Sequence, residues 1–211
     1  MLAIFDIEGV LYDAEYLPLL AEKVGKQDEI WDITNKGIRG EIDWEEGLRT
    51  RVNALRGIKY NTCVEVADSL PIMKGAAQVC KVLKDAGWKI MAVSGGFTIM
   101  TDRLEKILGL DHVYSNKLLF KDNSLDDVEI TVGADKAKSV RSKIGKWNVK
   151  KEDIVVIADG ANDIKLFDLC GLSIAFRAQE IIQNKANYEI NETDLARILP
   201  IINKHYNLNL G

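Results

Sequence analysis

Leu2–Phe5 is a short apolar run that stops at Asp6 and opens through Glu8 and Gly9, the pattern of a buried strand entering a loop. Comparable runs recur at 89–93, 154–158 and 172–176. Helix-like stretches separate them. Val79, Leu83 and Ala86 fall on one helical face, and Gly87 can end that helix. Met100, Leu104, Ile107 and Leu108 repeat the pattern and are followed by Gly109. Strands alternating with helices predict an α/β fold, a doubly wound parallel sheet covered on both faces.

Residues 13–71 break that rhythm. Leu17, Leu20, Ala21 and Val24 have helical spacing, and Ile30, Ile33 and Ile38 follow more loosely. Asp43 and Glu46 resemble a capping box, after which Trp44, Leu48, Val52 and Leu55 run down one face towards Gly57. The segment reads as a small helical unit inserted after strand one, with Pro18 and Pro71 near its ends. This divides the chain into a core of residues 1–12 and 72–211 and a helical cap of residues 13–71. An insert at that place can cover the carboxyl end of the sheet, where open α/β folds bind ligands. Residues 117–131 read as a β-hairpin turning at Asp122-Asn123. The chain shows no internal repeat or low-complexity tract.

Composition narrows the partners. The 211 residues are 47% hydrophobic and 28% charged, with a formal net charge of −4. That balance gives no general attraction for nucleic acid or an anionic membrane, so a small anionic substrate would need a local basic pocket. No run of about 20 apolar residues offers a membrane span. The amino terminus meets an acid at its sixth residue without a basic start, so no secretory signal is expected. Cys63, Cys80 and Cys170 are odd in number and widely spaced, which suits reduced core thiols in the cytoplasm. A monomer and a homodimer are equally compatible with the chain.

Four features fall after predicted strands or at a helix start: Asp6-Ile7-Glu8-Gly9, Ser94-Gly95-Gly96, Lys136, and Asp159-Gly160-Ala161-Asn162-Asp163. Alone, each is ordinary: a helix cap, a flexible turn, a surface lysine, a polar loop. Together and in this order they suit phosphoryl transfer. Carboxylates such as Asp6 and Asp159 suit Mg²⁺, a hard ion that takes oxygen ligands. A carboxylate can also attack phosphorus. Ser94 with the amides after it can donate to phosphate oxygens, and Lys136 supplies a point charge.

On these motifs the chain resembles the haloacid dehalogenase superfamily, and within it the phosphoserine phosphatases, over nearly its whole length. The resemblance implies a Rossmann-like core and Mg²⁺ as cofactor. It implies Asp6 as nucleophile and Glu8 as general acid/base, with Ser94 and Lys136 holding the phosphoryl group. The metal would be bound by Asp6, the Glu8 carbonyl and Asp159, with Asp163 in support. Substrate contacts would come from Glu15 to an ammonium and Arg51 to a carboxylate. Ile38 and Trp44 would line the cap side, and Ser94, Gly95, Gly96, Lys136 and Asn162 the phosphate side. The implied reaction is hydrolysis of O-phospho-L-serine in serine biosynthesis, through an aspartyl phosphate. Glu8 departs from the usual Asp-x-Asp and resembles a subgroup that also transfers phosphate from phosphoserine to homoserine. That transfer, and another small phosphomonoester as substrate, stay open. A non-enzymatic phospho-receiver and a phosphate-binding protein are rivals, although a receiver has no capped substrate pocket.

Overall fold

The computed structural model describes residues 1–210, with the side chains of all of these except Ile38. One seven-stranded sheet contains β1 (Leu2–Phe5), β2 (Lys89–Phe97), β3 (His112–Lys121), β4 (Ser124–Glu129), β5 (Ile154–Ala158), β6 (Leu172–Phe176) and β7 (Tyr188–Ile190). The order is β4-β3-β2-β1-β5-β6-β7, with every pair parallel except β3 and β4. From β1 the chain winds outward on one side and then returns to β5 and winds outward on the other. The β1–β5 boundary is therefore a topological switch point, where successive loops part and leave room for a ligand.

Helices α1 (Tyr16–Glu22), α2 (Gln27–Ile38), α3 (Trp44–Ala54) and α4 (Tyr60–Ser69) lie between β1 and the rest of the sheet. They are followed by α5 (Ala76–Asp85), α6 (Thr98–Leu108), α7 (Lys136–Trp147), the short α8 (Ile164–Phe167) and α9 (Glu180–Gln183), and α10 (Ile198–Tyr206). The central strands are apolar without alternation because both their faces are buried. Ala3 and Phe5 pack into a core shared with α5, α6 and α10, whereas Leu2 and Ile4 pack opposite with α7 and α8. All three cysteines are buried and free.

The predicted helices form, but three of their faces differ from expectation. Val24 is 46% exposed because α1 ends at Glu22. Ile107 is 49% exposed, since the buried stripe of α6 is Met100, Thr101, Leu104 and Leu108. Ala86 likewise lies past the end of α5 and is exposed. Asp43 caps α3 by accepting from the Glu46 N–H at 2.9 Å, as its spacing predicts. Strand β2 is longer than the 89–93 run, because an irregularity between Val93 and Phe97 carries the chain through Ser94-Gly95-Gly96 before α6 begins.

The hairpin forms where expected. Asp122 and Asn123 both take positive φ, 49° and 58°, the two-residue turn that matches the twist of antiparallel strands. Strand β3 begins earlier than predicted and joins the main sheet beside β2. The hairpin also grips the helical insert. Gly57 N–H donates to Leu125 O at 2.8 Å, Leu125 N–H to Ile58 O at 2.7 Å, and Tyr60 N–H to Asn123 O at 3.0 Å. Leu125 is buried in the same apolar cluster as Leu48, Val52 and Leu55. The insert and the sheet thus share one continuous core.

Candidate active site

The loops after β1 and β5, the end of β2 and the first residue of α7 meet around one cavity of about 70 Å³. A void of roughly 10–15 Å³ holds one water on this scale, so the cavity suits a small molecule. Its wall includes Asp6, Glu8, Glu15, Trp44, Arg51, Ser94, Gly95, Lys136, Asp159 and Asn162, residues far apart in sequence. Gly96 and Asp163 stand behind that wall rather than in it. The Ile38 side chain lies outside the described residues.

Asp6 is placed by strand pairing, since its N–H donates to Ile157 O at 3.0 Å. Its carboxylate is fixed at both oxygens: Ile7 N–H donates to Oδ1 at 2.7 Å, and Lys136 Nζ lies 2.9 Å from Oδ2. Lys136 also pairs with Asp163 Oδ1 at 2.8 Å. A lysine only 1% exposed at the first position of α7 is not a solvated surface lysine. Ser94 Oγ accepts from Gly96 N–H at 2.8 Å, which aims the hydroxyl from within the strand end rather than from a helix start.

Charge does not balance here. One carboxylate oxygen from each of Asp6, Asp159 and Asp163 lies within 4.8 Å of the others, with Lys136 as the adjacent cation. Burial raises the pKa of Asp159 well above its ordinary value, and the Asp6 and Asp163 charges raise it further. Asp163 is pushed up to about 8, by burial first and then by Asp6. Burial alone would lower the Lys136 pKa, but Asp163 and Asp6 raise it on balance. The lysine holds its proton while Asp159 and Asp163 resist losing theirs, as expected where carboxylates outnumber cations. A hard divalent cation with oxygen ligands fits this cluster.

Glu8 explains its own length. The carboxyl folds back so that Oε1 accepts from Tyr16 N–H at 2.8 Å, serving an orphan donor at the start of α1. Glu15, the residue at the cap position, makes no capping bond and keeps its carboxylate for the cavity. Burial raises the Glu8 pKa, and the Tyr16 N–H opposes that rise. The glycines also have reasons. A Cβ on Gly96 would fall 2.7 Å from Glu8 Oε2, and one on Gly95 would fall 2.7 Å from Trp44 Cζ2. Gly9 has φ +78°, and its added Cβ would lie 2.2 Å from Asp159 Oδ2.

At the insert side, Arg51 Nε donates to Gly47 O at 3.2 Å and Nη1 to Thr34 Oγ1 at 3.0 Å. Arg51 forms no ion pair with any described residue, although Glu8 and Glu15 act on it through space. Burial lowers its pKa. Burial raises that of Glu15 well above its ordinary value, helped by Glu8 and Asp6 and opposed by Arg51 and Lys136. Asp13, close to Glu8 in sequence, instead pairs with Arg177 on the surface.

Two functional candidates have no motif in the sequence. Thr34 is 2% exposed and reaches the cavity wall. Asn116 is fully buried: its Nδ2 donates to Gly95 O at 2.9 Å, and its Oδ1 accepts from Thr131 and Val132 N–H, each at 2.8 Å. It ties the Ser94 loop to the segment leading to Lys136. The signal available for Thr34 was its place one turn from Ile30 and Ile38 on α2. Asn116 offered only an amide one residue before the predicted hairpin.

The profile of the haloacid dehalogenase-like hydrolases matches residues 1–171, and the chain belongs to that family. Within it, the chain is similar to phosphoserine phosphatases. It is 35% identical to that of Methanocaldococcus jannaschii over 204 residues, covering 95% of this chain and 97% of that one. It is 33% identical to that of Archaeoglobus fulgidus, covering 95% of this chain but spanning only 59% of that longer relative. A solved phosphoserine phosphatase holding an analogue of its phospho-aspartyl intermediate superposes with a TM-score of 0.91 at 34% identity, covering 95% and 97% of the two chains. A substrate-bound phosphoserine phosphatase matches with a TM-score of 0.91 at 33% identity, over the same shares. No helix among the described residues is long and apolar enough to cross a membrane.

Proposed function

We propose that this chain is a Mg²⁺-dependent phosphomonoesterase acting on O-phospho-L-serine, with residues 13–71 serving as a cap over a catalytic core of residues 1–12 and 72–211. The observation that carries the substrate is the charge pattern of one small cavity. Asp6, Ser94 and Lys136 stand at its phosphoryl end, and Glu15 with the ion-pair-free Arg51 at the other. A zwitterion bearing a phosphate matches that pattern: Glu15 receives the ammonium, and Arg51 receives the carboxylate in a fork. The Trp44 ring lies against Gly95.

Asp6 attacks phosphorus, with its carboxylate aimed by Ile7 N–H and Lys136. Ser94 and Lys136 hold the phosphoryl oxygens. Glu8 gives its proton to the departing serine alkoxide and then takes one from the water that hydrolyses the acyl phosphate. Asp6, Asp159 and the Glu8 carbonyl would hold Mg²⁺, with Asp163 in support. The ion supplies positive charge against the phosphoryl oxygens and the carboxylates. The buried free thiols support a cytoplasmic site of action for a step of serine biosynthesis.

Glu8 favours one second reading, in which homoserine replaces water as the acceptor. A single assay tests both: phosphate release from phosphoserine with Mg²⁺ or EDTA, with and without homoserine. Steady Mg²⁺-dependent release supports the phosphatase, and formation of phosphohomoserine identifies the transferase. No turnover of phosphoserine with either acceptor would overturn the proposal.

A further inference from the structure

Arg51 has five N–H donors in a planar fork, and two are already used within the protein. Its Nε–H goes to the Gly47 carbonyl one turn earlier on α3. One Nη1–H goes to Thr34 Oγ1, on the neighbouring helix α2. The first bond is local and fixes the base of the side chain. The second comes from 17 residues away and fixes the rotation of the guanidinium plane. The unused N–H groups then belong to a fork that cannot swing.

Thr34 is unusual for its place. It sits between Ile33 and Asn35 in the interior of α2, is 2% exposed, and lines the cavity. A buried threonine in a helix usually returns its hydroxyl to the carbonyl one turn back. Here Oγ1 accepts from Arg51 and donates to no described residue, so its hydrogen is available to a ligand oxygen. A donor from Thr34 beside the free donors of Arg51 makes a site for a planar anion with two oxygens.

We infer that Thr34 is a specificity-determining residue: it locks the Arg51 fork and, with it, selects substrates that carry a carboxylate beside the phosphoester. This deepens the reading of Arg51 as the carboxylate receptor and rests on it. Charge alone would let Arg51 reach either the substrate carboxylate or the nearby Glu8 and Glu15, both of which act on it through space. With the guanidinium held by Thr34, Arg51 stays free of those acids and available to substrate. The same lock keeps a cation from neutralising the acid/base Glu8.

The test compares Thr34→Val, Thr34→Ser and Arg51→Ala on phosphoserine and on p-nitrophenyl phosphate, which has no carboxylate. Valine keeps the shape and removes the hydroxyl, whereas serine keeps the hydroxyl. Thr34→Val is expected to raise the KM for phosphoserine about tenfold, the scale of one hydrogen bond to a charged group. Its KM for p-nitrophenyl phosphate should change less than about twofold. Thr34→Ser should restore the phosphoserine KM, and Arg51→Ala should show the same selectivity more strongly. A Thr34→Val enzyme that loses both substrates equally, or is not rescued by serine, overturns the role of Thr34. So does unchanged phosphoserine KM in Thr34→Val while Arg51→Ala is selective. If Arg51→Ala is itself unselective, the carboxylate reading fails first and the inference falls with it. Thermal melts of each variant separate these outcomes from a folding defect.

Discussion

At Glu8 one methylene changes which atoms the carboxyl can reach. It spans from the β1 loop to the first N–H of α1, and its other oxygen lies beside Gly96. Aspartate at this position would be too short to keep that bond without moving the loop. Glu8→Asp is therefore expected to lower turnover modestly, and Glu8→Gln by about 10²–10⁴-fold on phosphoserine. With p-nitrophenyl phosphate, whose leaving group needs no proton, the Gln variant should release one rapid equivalent of nitrophenol and then stall. Rapid-quench kinetics check this; native turnover of phosphoserine by the Gln variant would reduce Glu8 to a loop residue. The residues proposed to carry this chemistry were readable as a set, because Asp6, Ser94, Lys136 and Asp159 each sit beside punctuation that the chain shows openly, such as a strand end, a glycine or a helix start; the role of Glu8 came from the family resemblance. Thr34 and Asn116 were not, because their roles are contacts across 17 and 21 residues, with no local signature.

Between elements, the hairpin β3–β4 has a task that its own sequence does not state. Its turn was legible from Asp122-Asn123, but its grip on α3 and α4 depends on backbone groups of Gly57, Ile58 and Tyr60 that no pattern marks. Three backbone bonds and the buried Leu125 hold the far end of the insert to the sheet. The charged pair Arg56–Asp126 also bridges them, but its side chains are 52% and 40% exposed. Solvent screening leaves such an exposed pair weak. Leu125→Ala should therefore cost about 2–5 kcal/mol in urea unfolding, and Arg56→Ala should cost far less. The reverse ranking would show that charge rather than apolar packing fastens the hairpin. The misplaced faces of α1 and α6 have a similar origin. Val24 lies beyond the last turn, and Ile107 sits one position off the 100–104–108 stripe, differences too small for spacing to decide.

For the whole molecule, the sheet order brings together parts that the sequence only lists in succession. Alternating apolar runs were enough to read a doubly wound sheet and a helical insert after β1. They were not enough to find β7 and α9, which are short and lie towards the edge of the sheet. What the sheet creates is one small cavity lined by Asp6, whose carboxylate is held between Ile7 N–H and Lys136. In the proposed mechanism, attack by Asp6 is the step on which every other role depends. It is tested most directly by mixing the enzyme and Mg²⁺ with ³²P-labelled phosphoserine, quenching in acid within the first turnover, and mapping the labelled peptide. The expected result is an acid-stable, hydroxylamine-sensitive label on the peptide containing Asp6. Asp6→Asn should carry no label and show no turnover while melting as a folded protein. Label on another residue, or continued phosphate release by Asp6→Asn, would contradict the mechanism.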